Sequence, residues 1–289
     1  MRRFILRSTL FATITSVVLM CIWLGAYAGR ANVIDKDANI LFLGTSRIQY
    51  TIDPTDIPHT FQWGNNGESY FWTLQKLRLI LRHNRQVRTV ILGCDGPSLT
   101  FSFNNNDERQ FLPYYFGVLT KEDWLHIMQN RPDALRALFD WHQVLLPYKA
   151  YLLHASVTDI DQGGYSPLYR DKLATDIQER EKDNIDDSVF EPSTEQTTYL
   201  DEIIALCKEK NIKVILLTVP SYPTAEYAIR NKKMNRYIHS RYPDIEHWDY
   251  EFIQMPDSCY GDIDHVNYRG ADIFSGIINN RLKASDYNP

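Results

Sequence analysis

The sequence predicts an α/β fold. A parallel sheet of about five strands lies between two helical layers, with a largely helical insertion and an N-terminal transmembrane helix. Short, wholly apolar runs, the mark of strands buried on both faces, alternate with longer segments whose apolar residues recur at helical spacing. The alternation is interrupted once, over about residues 99–193. An uncharged stretch of membrane-spanning length opens the chain.

Arg2, Arg3 and Arg7 precede an uncharged run from Ser8 to Gly29, rich in Leu, Ile, Val and Phe. As a helix it reaches across a hydrocarbon core of roughly 30 Å. Basic residues on the short side place that side in the cytoplasm and the large domain outside it. Two readings follow: a retained anchor over residues 1–30, or a signal peptide cut after Ala26-Tyr27-Ala28, giving a secreted product. The apolar stretch is long for a signal peptide's core, which favours the anchor. Met20 before Cys21 is too bulky for a lipoprotein cleavage box.

The main domain spans residues 38–284. Residues 38–43 (ANILFL) form the first buried strand and end in Gly44-Thr45-Ser46. Residues 60–63 form a second, followed by the turn Gly64-Asn65-Asn66-Gly67. A helix over 70–83 carries Phe71, Leu74, Leu77 and Leu81 on one face, and residues 87–94 (VRTVILGC) form the third strand. Beyond the insertion, Tyr199, Leu200, Ile203, Ile204 and Cys207 sit at helical spacing. A strand over 212–219, a helix over 225–240, a strand over 245–250 and a helix over 268–282 complete the alternation. The insertion is rich in aromatics, among them Phe111, Tyr114, Tyr115, Trp124 and Trp141, and then charged over 171–187. Ligands of open α/β sheets bind at the carboxyl edge, so an aromatic insertion emerging there would form a substrate wall. Ordinary packing explains any single aromatic equally well.

Composition bounds the function. A chain of 289 residues buries a full core without disulfide or metal. A net charge of −5, with no basic stripe, argues against nucleic acid as a partner. Cys21, Cys94, Cys207 and Cys259 have neither zinc-like spacing nor a close pair, so no metal and no structural disulfide is expected. No glycine-rich phosphate loop follows the first strand, and no cofactor is expected.

Two short segments at opposite ends carry the chemistry. Ser46 stands where a buried strand ends and the chain turns, which exposes its hydroxyl at the sheet's carboxyl edge. Gln49 and Tyr50 follow Arg47-Ile48, so no Gly-x-Ser-x-Gly elbow is present. Asp262 and His265 lie three apart in a loop before the last helix, close enough for one turn to bring both to the same side. A carboxylate beside the imidazole fixes its tautomer and favours the imidazolium formed as a serine loses its proton. Asp264 is the alternative carboxylate, disfavoured because sequence neighbours diverge. Asn267 suits the N-cap of the following helix. His83 and His239 fall near helix ends, and His126, His142 and His154 lie in the insertion, away from any nucleophile-bearing turn.

With these residues in place, the chain resembles the SGNH (GDSL-like) hydrolase superfamily over about residues 39–282, the insertion excepted. Gly44-Thr45-Ser46 is similar to the block that carries the nucleophile, and Gly64-Asn65-Asn66-Gly67 to the block whose glycine N–H joins the oxyanion hole. Asp262-Ile263-Asp264-His265 is similar to the Asp-x-x-His block. The resemblance implies a flavodoxin-like three-layer sandwich. It implies Ser46, Asp262 and His265 as catalytic residues, and the N–H groups of Ser46 and Gly67 as oxyanion donors. One block departs: Gly93-Cys94-Asp95 stands where the superfamily has Gly-x-Asn, and an ionised aspartate accepts hydrogen bonds instead of donating them. Asn65 and Asn66 are candidate replacement donors, and Asp95 a candidate substrate contact. Anchor and altered block together resemble extracytoplasmic members that acylate envelope polymers, such as polysaccharide O-acetyltransferase domains and the D-alanyl transfer protein. The implied partners are an acyl-ester donor, a polysaccharide acceptor and the membrane. The rival expectation is a catalytically silent glycan-binding or assembly protein of the same fold.

Overall fold

The structure, a computed structural model, describes residues 2–29, 34–100, 111–130, 132–140, 163–183 and 188–284. The chain opens with helix α1 (Arg2–Gly29). Strand β1 (Ile40–Gly44), helix α2 (Ser46–Thr51), strand β2 (Thr60–Gly64), helix α3 (Tyr70–His83), strand β3 (Thr89–Gly93) and helix α4 (Gly96–Thr100) follow. Then come α5 (Leu112–Tyr115), α6 (Lys121–Asn130), α7 (Leu173–Asp183) and α8 (Thr194–Glu209). Strand β4 (Lys213–Thr218), helix α9 (Ala225–Arg241), strand β5 (Glu246–Asp249) and helix α10 (Tyr268–Ala284) close it.

The strands form one parallel sheet in the order β2-β1-β3-β4-β5. This is the flavodoxin-like order, whose switch point lies at β1 and β3. Alternation along each strand sorts the side chains into two cores. Leu41, Leu43, Val90, Leu92, Val214 and Leu216 face α3 and α8, packing with Phe71, Leu74, Leu200 and Ile203. Ile40, Phe42, Ile91, Ile215 and Leu217 face the opposite layer, meeting Ile48 of α2 and Phe274, Ile278 and Leu282 of α10. Both faces of every central strand are therefore buried, which is why these strands read as continuous apolar runs.

Two features differ from the sequence expectation. Ser46 begins a helix and does not merely end a strand. At six residues α2 is too short to show a period. Its start is set by Gly44, whose φ of +151° turns the chain out of β1 in a conformation L side chains rarely adopt. The insertion's described parts include helices, as anticipated, and a non-helical stretch over 163–172; three of its described aromatics pack inward. Phe111, Tyr114 and Tyr115 are buried, with Tyr114 edge-on to Trp63 and Phe111 tilted against Trp72. These three extend the α3-side core. Trp141, His142 and His154 lie outside the described residues.

Candidate active site

Ser46 is the first residue of α2. Thr45 caps the helix, its hydroxyl accepting from Arg47 N at 3.3 Å, and Ser46 remains half-buried at the sheet's carboxyl edge. The distal loop is built around one carboxylate oxygen. Asp262 Oδ1 accepts from the backbone N–H groups of Asp264 (2.9 Å) and His265 (2.8 Å), and also faces His265 Nδ1 at 2.9 Å. Asn267 closes the loop from the other side. Its Nδ2 donates to the carbonyl of Ser258 (2.8 Å), and its Oδ1 accepts from Arg269 N (3.0 Å) at the start of α10.

These two loops meet. Ser46 Oγ lies 3.0 Å from His265 Nε2. With Nδ1–H donating to the Asp262 carboxylate, Nε2 is left as an acceptor for the serine hydroxyl. The imidazole is held further by Tyr50, edge-on with ring centroids 5.4 Å apart. Asp264 points elsewhere, its Oδ1 accepting from the Tyr227 hydroxyl at 2.7 Å.

Asp262 has a second partner that the sequence did not reveal. Arg170 donates from Nη1 to Asp262 Oδ2. Burial pushes the Asp262 carboxyl up. The His265 hydrogen bond and charge, followed by Arg170, outweigh it and hold the group down at about 2. Arg170 ends a strap that runs across the site: Gly164 N donates to Gly64 O (2.8 Å), Ser166 N to Gln49 O (3.2 Å), and Lys172 N to Gly261 O (2.8 Å). Ninety-two residues separate Arg170 from Asp262. No local pattern links them.

The second turn leaves the sheet beside Ser46, because β1 and β2 pair in register from Ile40↔Thr60 to Gly44↔Gly64, and Asn65 N donates to Gly44 O at 2.9 Å. Gly67 adopts φ +65°, with open space where a Cβ would stand. Asn65 is buried, whereas Asn66 is exposed. Asp95 is only 2% exposed. Its Oδ1 accepts from Ser98 N (2.8 Å) at α4, and its Oδ2 lies 3.7 Å from Arg47 Nη1. Arg47, like Arg170, has no role in the motif pattern, and only the fold brings its partners to it. Among the described residues no group of three or more His, Cys, Asp or Glu is arranged to hold a metal.

A protein-family model matches residues 171–285, the carboxyl-terminal part that carries Asp262 and His265. No curated protein sequence matches the chain. Similar solved structures include a proposed acylhydrolase from Bacteroides fragilis, 13% identical, covering 89% of this chain and 94% of that one, with a TM-score of 0.40. A GDSL-like lipase from Bacteroides thetaiotaomicron is 12% identical, covering 89% and 96%, with a TM-score of 0.40. A proposed platelet activating factor from Streptococcus pneumonia is 14% identical over 95% and 99%, also with a TM-score of 0.40.

Proposed function

We propose that this chain is a serine-dependent, SGNH-like acyl-transfer enzyme, anchored by its N-terminal helix and acting outside the cytoplasm on ester groups of cell-envelope glycans. The observation that carries the reading is the chain of contacts from Ser46 Oγ to His265 Nε2 (3.0 Å) and from His265 Nδ1 to Asp262 Oδ1 (2.9 Å). Ser46 attacks the ester carbonyl as His265 takes its proton. The tetrahedral oxyanion is met by the N–H groups of Ser46 and Gly67, and its collapse expels the donor's alcohol, protonated by His265. Asp262 holds the imidazole in the required tautomer throughout. The acyl-serine then passes its acyl group to a hydroxyl whose proton His265 removes and returns to Ser46 Oγ as the acyl–Oγ bond breaks. Water makes the reaction a hydrolysis and a polysaccharide hydroxyl makes it an O-acyl transfer.

The silent-binder reading drew its support from Asp95 at a donor's position. The contact of that carboxylate with Arg47 gives it a different reason to be acidic. A fluorophosphonate probe tests the enzyme reading: labelling is expected on the wild-type protein and absent from Ser46→Ala. Folded wild-type protein that takes no label would overturn it and favour the binder.

A further inference from the structure

Behind the Asp262–His265 loop the carboxyl ends of several strands converge on buried charge. Arg47, from α2, is 3% exposed; Asp95 follows β3 and is 2% exposed; Glu251 follows β5 and is 1% exposed. Arg230, from α9, lies with its guanidinium 3.9 Å over the Tyr227 ring and 3.7 Å from Glu251 Oε1. Arg47 Nη1 lies 3.7 Å from Asp95 Oδ2 and 4.0 Å from Glu251 Oε1, and neither Nη makes a hydrogen bond to the described residues. Among the described residues its directed bond comes from Nε, which donates to the Asp264 carbonyl at 3.1 Å.

That bond joins the two halves of the site. Arg47 is the covalent neighbour of Ser46, and the Asp264 carbonyl belongs to the peptide unit that enters His265. Two loops 219 residues apart are thereby tied by backbone on one side and a single guanidinium on the other. A buried guanidinium is costly, and an apolar side chain of similar volume would fill the space more cheaply. The bond to the loop is what such a side chain would lose.

We propose that Arg47 is a positioning residue that sets the approach of the His265 imidazole to Ser46, with Asp95 acting through it as its counter-ion. The role rests on the acyl-transfer reading given above. Without Asp95, Glu251 and, more weakly, Asp264 are the acids left facing the guanidinium, and Nη1 is drawn towards Glu251, away from the geometry that holds the Asp264 carbonyl. Asp95 thus supports the reaction from behind and does not touch the oxyanion.

The test is a double-mutant cycle on kcat and KM for p-nitrophenyl acetate, with thermal melts as a control for folding. Arg47→Met is expected to lower kcat about 10²-fold with KM nearly unchanged, since displacement of a reacting group by about 1 Å costs that much. Asp95→Asn is expected to cost about tenfold in the wild-type background and almost nothing beside Arg47→Met, because its effect passes through the arginine. If Arg47→Met does not fold, Arg47→Lys carries the same readouts, as it keeps the charge but lacks the Nε donor. Folded arginine variants with wild-type kcat would overturn the proposal. So would an Asp95→Asn cost that is equal in both backgrounds. A second readout is independent of turnover: the low-field proton NMR resonance of the His265 Nδ1–H bonded to Asp262, expected in the wild type and lost in Arg47→Met. If the wild type shows no Ser46-dependent turnover, the acyl-transfer reading fails, and this resonance alone decides the positioning role.

Discussion

Asp262 divides its work between its two oxygens, and its acidity records both. Oδ1 gathers the imidazole and two backbone N–H groups, while Oδ2 meets Arg170. The carboxyl sits at about 2 in the folded protein, against about 4 in an unfolded chain. A depressed folded value stabilises the native state fully above the unfolded value, and the contribution is lost as pH falls through the folded one. Asp262→Asn removes this linkage. Urea melts should show wild type more stable than the variant near neutrality, the gap narrowing from about pH 5 towards pH 2. A gap that stays constant with pH would contradict the assignment. In kinetics the same variant loses the acceptor that fixes the tautomer, so kcat should fall by about 10⁴.

At the level of elements, the turn bearing Gly67 is held by a buried ion pair. Glu68 follows Gly67 directly and contacts Lys76 of α3 at 2.5 Å, with both side chains wholly inaccessible. Lys76 Nζ also donates to Trp63 O at the end of β2 (2.7 Å), and Thr73 Oγ1 donates to Glu68 Oε1 (2.8 Å). Burial pushes Glu68 up and Lys76 down, and each charge opposes the other's shift. Removing one partner strands the other, so Glu68→Ala and Lys76→Met should each destabilise by about 3–5 kcal/mol. The double variant Glu68→Leu with Lys76→Met should lie closer to wild type than either single change. Denaturant midpoints measure this directly, and single costs below about 1 kcal/mol would refute it. Helix α3 was legible from Phe71, Leu74, Leu77 and Leu81 because fourteen residues give a clear period. The ion pair was not legible, because Lys76 reads as part of the polar face and only the fold closes Trp63 over it.

For the whole molecule, sequence patterning and topology each supply part of the site. Apolar runs locate the strands, and the order β2-β1-β3-β4-β5 carries the segments bearing Ser46, Gly67, Asp95 and Glu251 to one edge of the sheet. The motif residues were visible in the sequence because their chemistry is local: a serine at a strand end, and an Asp and a His three apart. Arg47 and Arg170 were not, because they depend on partners 217 and 92 residues away. The remaining question at this scale is where that edge faces. Within α1, the span Arg2–Ile22 contains an 18-residue window of mean hydropathy 1.9 and is long and apolar enough to cross a bilayer, and Arg2, Arg3 and Arg7 stand on the short side. In the orientation proposed above, this positive charge keeps the short side in the cytoplasm. The full-length protein should therefore stay in the membrane pellet through alkaline carbonate extraction, and protease added outside intact spheroplasts should digest the domain carrying Ser46. A domain cleaved only after lysis would reverse the orientation and remove envelope glycans from the substrates within its reach.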